Sequence, residues 1–143
     1  MKSKVLRAWA LLLLATTVAR GQQPPGEDPI GQNFFAPELV MQHQEAIGLN
    51  DEQKSYLKTE IRQAQLKFTE LQWKLQDEME KLALLVKQPH IDEQGLLAQL
   101  EKLLTAEREI KRAQLTLLVR IKNKLTPEQQ AKLFEIRSKS GNK

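Results

Sequence analysis

The chain has 143 residues, no cysteine, 5% aromatic residues and 28% charged residues. These values exclude disulfides and thiolate metal sites, argue against an all-β fold, and are typical of long helices. The net charge of +4 comes from residues 1–21, which hold four basic side chains and no acidic one, so that 18 basic and 18 acidic residues remain elsewhere. We therefore expect no nucleic-acid partner.

Residues 1–21 have the layout of a secretory signal peptide. Residues 1–7 are basic, residues 8–19 are largely apolar, and Ala19 and Gly21 supply the small residues of a cleavage site. A membrane span needs about 20 apolar residues, so we predict export with cleavage, and an uncleaved anchor is the alternative. In a Gram-negative cell the location would be periplasmic.

Residues 22–36 are rich in proline and glycine, which predicts a flexible tail before the folded domain, with Phe34 and Phe35 at its end able to dock onto the domain. Residues 37–47 are predicted to form a short first helix. Gly48 suits the position after its end, where a left-handed residue is favoured. The domain is predicted to span residues 37–139, and residues 140–143 are predicted to be a disordered C-terminus.

The second helix is predicted from Asp51 to about Lys87, because this stretch contains neither glycine nor proline. Asn50 can cap it, and Gln53 occupies the third helical position of a capping box. Apolar residues three or four apart form one narrow stripe along it, namely Leu57, Ile61, Ala64, Phe68, Leu71, Leu75, Met79, Leu82 and Val86.

A third helix is predicted from Asp92, as its cap, to about Lys124, after residues 88–90 break the pattern. Glu107 and Gln114 are predicted to flank its apolar stripe and to point outward. A polar contact that fixes register is the alternative. The stripe itself consists of Leu96, Leu100, Leu103, Leu104, Ile110, Leu117, Leu118 and Ile121.

A fourth helix opens at Leu125, with Thr126 as cap, Pro127 in the first helical position and Gln129 in the third. It is predicted to end near Lys139. Two long helices joined by a short turn lie antiparallel. The fold class is therefore predicted to be all-α, with a long helical hairpin flanked by two short helices.

A second apolar stripe lies opposite the first on the second helix. It consists of Leu66, Trp73 and Leu84, at spacings of seven and eleven residues. A long helix with two apolar stripes needs a second partner. We predict a homodimer or a protein-binding surface here, and isolated exposed residues are the alternative.

Charge is uneven along the chain after the leader. Residues 120–143 carry a net charge of +5 and residues 22–119 a net charge of −5. A basic patch able to attract acidic partners is one interpretation, and favourable placement near helix C-termini is the other. The candidate partner-binding cations are Lys122, Lys124, Lys132 and Arg137.

The sequence contains no phosphate-binding loop, nucleophile elbow or metalloprotease motif, so we predict that the protein is not an enzyme. No cofactor is expected, with a divalent transition metal as the alternative. His43 is the candidate metal ligand, helped by Glu45, Asp51 or Glu52 if the fold gathers them. A surface histidine without a metal is the competing interpretation.

Leu125-Thr126-Pro127-Glu128-Gln129 resembles the LTxxQ motif of the Spy/CpxP family of periplasmic proteins. Leu49-Asn50-Asp51-Glu52-Gln53 is a degenerate second copy, with asparagine in place of threonine. The copies begin the fourth and second helices, as that family arranges them. The resemblance covers about residues 37–139.

This resemblance implies a four-helix, cradle-shaped dimer. Some members are ATP-independent chaperones for unfolded envelope proteins, and some contact a membrane sensor kinase. A related branch, similar to CnrX and ZraP, senses or binds heavy metals through histidines, of which this chain keeps only His43. The hypotheses are therefore a passive chaperone, a heavy-metal sensor or resistance protein of the same fold, and a regulatory domain that docks on one membrane partner.

Overall fold

The computed structural model describes residues 30–140 and shows four α-helices in that range. They are α1 (Pro37–Gln42), α2 (Asp51–Val86), α3 (Glu93–Lys124) and α4 (Pro127–Ser140), preceded by a 3-10 helix at Gly31–Asn33. The part of the chain described here contains no strand. The predicted signal peptide, residues 22–29 and residues 141–143 lie outside the described residues.

Helices α2 and α3 pack along most of their length as an antiparallel hairpin, which confirms the predicted fold class. Leu57 and Leu71 of α2 and Leu103, Ala106 and Leu117 of α3 are buried in the seam between them. Glu107 and Gln114 are exposed, as predicted, because alanines 106 and 113 take the positions that face α2. Within residues 30–140, none of the helices is apolar over enough length to cross a bilayer.

Near the hairpin turn, the predicted stripe on α2 is wrong by one position. Met79 and Val86 are about half exposed, whereas Glu78 and Leu85 are the better-buried neighbours. A straight helix rotates slightly relative to a seven-residue repeat, so a strict stripe drifts away from the seam over several turns. Leu104 of α3 is likewise exposed, at the margin of the seam.

The main core lies at the open end of the hairpin, away from the turn. Here α1, α4 and the segment before α1 cover the first turns of α2 and the last turns of α3. Its hydrophobic cluster consists of Phe35, Val40, Ile47, Leu49, Leu57, Leu117, Ile121, Leu125 and Leu133.

Helix α1 ends at Gln42, five residues earlier than predicted. The chain continues in a hydrogen-bonded turn in which the Gly48 N–H donates to Glu45 O (3.1 Å) and the Leu49 N–H donates to Gln44 O (2.9 Å). These two bonds form a Schellman motif. The turn brings Ile47 and Leu49 into the core that Val40 of α1 also enters.

Gly48 occupies the left-handed region, with φ of +71°, as predicted. A Cβ atom placed there meets nothing within 4 Å, so the cost of a side chain is conformational alone. We expect Gly48→Ala to lower the free energy of unfolding by about 1 kcal/mol, and Gly48→Asn by less, because asparagine tolerates this region. Urea denaturation would measure both. Equal stability of Gly48→Ala and wild type would contradict this assignment.

The start of α3 differs from the predicted cap. Asp92 is the residue before α3, but its side chain makes no capping hydrogen bond. Its carboxylate instead lies beside Gly95, where a Cβ atom would come within 2.7 Å of Oδ2. The predicted position of this cap is confirmed, and the predicted side-chain bond is wrong.

Residues 33–35, predicted as the end of the flexible tail, pack against α3 and α4. Phe35 is fully buried and meets the Phe134 ring edge-on at 4.9 Å. The Arg137 guanidinium lies over both rings and donates to Phe34 O at 2.7 Å. Lys122 donates to Asn33 O at 2.7 Å. The folded unit therefore begins at Asn33, ahead of the predicted boundary at residue 37.

Candidate functional site

The two LTxxQ-like segments form capping boxes at the N-termini of α2 and α4. Asn50 Oδ1 accepts from the Gln53 N–H (2.8 Å), and Gln53 Oε1 accepts from the Asn50 N–H (3.1 Å). In the second segment, Thr126 Oγ1 accepts from the Gln129 N–H (3.2 Å), and Gln129 Oε1 accepts from the Thr126 N–H (3.0 Å). Both capping boxes were predicted from the sequence.

The structure also brings the two motif glutamines together, which sequence reasoning missed. Gln53 Nε2 donates to Gln129 Oε1 at 2.8 Å, and Gln129 Nε2 donates to Gln53 Oε1 at 3.0 Å. Each amide donates its second proton to a backbone carbonyl next to the other motif. Gln53 Nε2 reaches Lys124 O (2.8 Å), and Gln129 Nε2 reaches Gly48 O (3.1 Å).

This arrangement has a local two-fold pattern, because each glutamine bonds to the carbonyl just before the other motif. Both glutamines are 7% exposed, and each amide uses two donors and two acceptor positions. Burial of a polar side chain is tolerated when its hydrogen bonds are all made. The motif residues thus tie the starts of α2 and α4 to each other, and their role in this chain is to hold the open end together.

The predicted basic patch is partly occupied by contacts within the chain. Lys124 pairs with Glu52 at 2.7 Å and lies over the Tyr56 ring, while Lys122 and Arg137 hold residues 33–35. The bond from Lys124 holds the pKa of Glu52 below its usual value. Lys132 is exposed, and no ion pair of it occurs within residues 30–140. Three of the four candidate cations thus make contacts within the chain.

The predicted second stripe on α2 is exposed. Leu66, Trp73 and Leu84 are 69%, 64% and 61% accessible, and all three point away from the seam. In a single copy of the chain, all three side chains are therefore accessible to a partner.

Exposed leucines also occur on α3 and were missed. Leu97, Leu104 and Leu115 repeat the spacings of seven and eleven residues found on α2, and that repeated spacing was the available signal. Leu97 and Leu115 lie on the outer side of α3, whereas Leu104 lies at the margin of the seam.

A polar contact crosses the seam near the hairpin turn. Buried Gln99 donates from Nε2 to the Glu78 carboxylate at 2.6 Å and to Glu78 O at 2.9 Å. This bond, followed by the one from Lys81, holds the pKa of Glu78 below its usual value. Gln99 was absent from the predicted stripe on α3, although it lies in line with Leu103 and Ala106.

His43 is half-buried at the C-terminal end of α1. Two of the three carboxylates named as its helpers form ion pairs, since Glu45 pairs with Lys54 at 2.7 Å and Glu52 pairs with Lys124 at 2.7 Å. Within residues 30–140 of one chain, no group of three histidine, aspartate or glutamate side chains is placed to hold a metal. His43 therefore belongs to no three-ligand group within those residues of one copy.

Comparison with known proteins identifies a family. The chain matches the model of the heavy-metal resistance family, Metal_resist, over residues 5–132. No curated protein and no solved structure matches it. The match covers most of the chain, including both motifs and the whole hairpin. The protein therefore belongs to the heavy-metal resistance family, the group of helical proteins similar to Spy, CpxP and CnrX.

Proposed function

We propose that this protein acts in heavy-metal resistance as an exported helical protein of the cell envelope. The family match over residues 5–132 carries this proposal. The predicted signal peptide supports the location. Two molecular roles are compatible with such a function, and each is favoured by a different observation.

The first role is direct metal binding, as a sensor or resistance protein. The family match favours it, and His43 is the donor of choice because imidazole suits zinc, copper and nickel. One chain offers no three-donor group in the described range. In this role His43 would bind metal together with donors from a second copy.

Calorimetric titration of the exported protein with zinc, nickel or copper tests the first role. We expect micromolar binding that His43→Ala abolishes. His90→Ala is the matched control, because His90 is exposed in the hairpin turn, far along the chain from His43. Binding that survives in His43→Ala, or disappears equally in both variants, would contradict a site at His43.

The second role is passive protection of proteins that unfold under stress. The exposed apolar side chains of the hairpin favour it, since apolar surface is what unfolded clients also expose. Clients would be unfolded envelope proteins held weakly by Leu66, Trp73 and Leu84. No nucleotide-binding motif occurs in the sequence, so we expect binding and release without ATP.

Light scattering of an unrelated, chemically unfolded client tests the second role, without ATP and with or without a chelator. We expect suppression of aggregation by the wild type and loss of suppression in the double variant Leu66→Glu, Trp73→Glu. The matched control is Gln65→Glu, Thr69→Glu, which adds the same charge at exposed polar positions of α2. No suppression by the wild type at several-fold molar excess would exclude this role.

A further inference from the structure

The half of the hairpin nearest the turn, residues 72–102, has no fully buried apolar side chain. We call these residues the distal hairpin. Within this range Gln99 is the one buried side chain, and it is polar. The leucines that are partly buried here are Leu75, Leu82, Leu85, Leu96 and Leu100. Because burial of apolar surface is the main stabilising term in a folded protein, the distal hairpin is held less tightly than the rest.

The open end of the hairpin differs in this respect. Leu57, Leu117 and Ile121 are buried there, in a core that α1 and α4 complete. Regions with few buried apolar contacts open at a lower free energy than the core of the same protein. We therefore expect the distal hairpin to open while the open end stays folded.

One hydrogen bond to a charged group crosses the seam in the middle of the distal hairpin. The Gln99 amide donates to the Glu78 carboxylate at 2.6 Å, and the Glu78 side chain is only 13% exposed. A hydrogen bond to an ionised carboxylate is stronger than the same bond to a neutral acid. The strength of this contact between α2 and α3 therefore depends on the protonation of Glu78.

The groups around Glu78 keep its carboxyl group ionised at neutral pH. The charged side chains beside it are Lys74 and Lys81 on α2 and Glu101 and Lys102 on α3. The bond from Gln99, followed by the one from Lys81, holds the pKa of Glu78 below its usual value. The stabilisation from this carboxylate is therefore present above the usual pKa of a glutamate and is lost as the pH falls through the lowered pKa.

We propose that the distal hairpin is an acid-sensitive segment that opens separately from the open end, and that the bond between Gln99 and ionised Glu78 holds it closed at neutral pH. Protonation replaces the charged acceptor with a neutral one and removes the ion pair with Lys81. The opening equilibrium therefore shifts toward the open form as the pH falls. Opening exposes the five partly buried leucines and leaves the core between α1, α4 and the open end in place.

Hydrogen exchange followed by mass spectrometry on the exported protein tests this opening. Each observed rate is compared with the intrinsic rate at the same pH, so that protection at about pH 7 and about pH 3 can be compared directly. We expect lower protection in the distal hairpin than in residues 51–71 at neutral pH. We also expect protection of the distal hairpin to fall by about five- to tenfold in acid.

Glu78→Gln separates the effect of Glu78 from that of other carboxylates. Glutamine keeps an acceptor for Gln99 but carries no charge. We expect its distal protection at neutral pH to lie about five- to tenfold below that of the wild type and to change less in acid. Asp77→Asn is the matched control, because Asp77 is the adjacent acidic residue and is exposed. It should behave as the wild type does.

Three results would each overturn the proposal. The first is equal protection of the distal hairpin and residues 51–71 in the wild type at neutral pH. The second is an acid-induced fall in distal protection that is as large in Glu78→Gln as in the wild type. The third is a loss of protection in acid that is equal in all helices, since that would show unfolding of the whole domain.

Discussion

Replacement of Gln53 with leucine is expected to lower the free energy of unfolding by about 3 kcal/mol. The change leaves Lys124 O and the Asn50 N–H without their partners and removes one bond from each polar atom of the Gln129 amide. A buried polar group that loses its partner costs about 1–3 kcal/mol, and several groups are affected here. Urea denaturation followed by circular dichroism would measure the loss.

The double variant Gln53→Leu, Gln129→Leu isolates the contact between the two motifs. We expect it to be less destabilised than the sum of the single variants, by about 1–3 kcal/mol, because the second change removes the amide that the first left unpaired. Gln65→Leu is the control, since Gln65 is exposed on the same helix. Additive single and double losses would show that the two glutamines act independently.

Replacement of Phe35 with alanine is expected to destabilise the protein by about 3–5 kcal/mol, the usual cost of truncating a buried phenylalanine. Phe35 is fully buried, meets Phe134 edge-on, and lies beneath the Arg137 guanidinium. Its loss leaves a cavity between α1, α4 and the ends of the long helices. Thermal and urea denaturation would both report this change.

Phe34→Ala is the matched control for Phe35, because Phe34 is the adjacent residue and is only half-buried. Its ring contacts the Lys122 ammonium at 5.8 Å, which is a weak cation–π interaction. We expect a loss of about 1 kcal/mol or less. Equal losses in the two variants would mean that residues 33–35 are not anchored by Phe35.

The number and order of the helices could be predicted from the sequence. Asn50 with Gln53, and Thr126 with Pro127 and Gln129, mark two helix starts through local hydrogen bonds alone. The apolar spacing defines two long helices, and the short turn between them requires an antiparallel hairpin. These features depend on neighbours within a few residues along the chain, so the sequence carries them directly.

The candidate sites were only partly predictable. The exposed residues of α2 were identified because their spacing differs in phase from the seam, and the equivalent spacing on α3 was overlooked. His43 was selected by residue type, but two of the carboxylates named with it, Glu45 and Glu52, pair with Lys54 and Lys124. Those pairings join residues of different helices or turns, so no local pattern reveals them.

The sequence by itself determined the all-helical class, the hairpin and the capping boxes. Tertiary structure decided that Gln53 and Gln129, 76 residues apart, share one pair of amide hydrogen bonds. It also decided that residues 33–35 belong to the folded unit and that Glu78, not Met79, faces the seam. The physical reason is the same in each case: these positions depend on how two helices pack and rotate against each other, and periodicity along one helix does not contain that information.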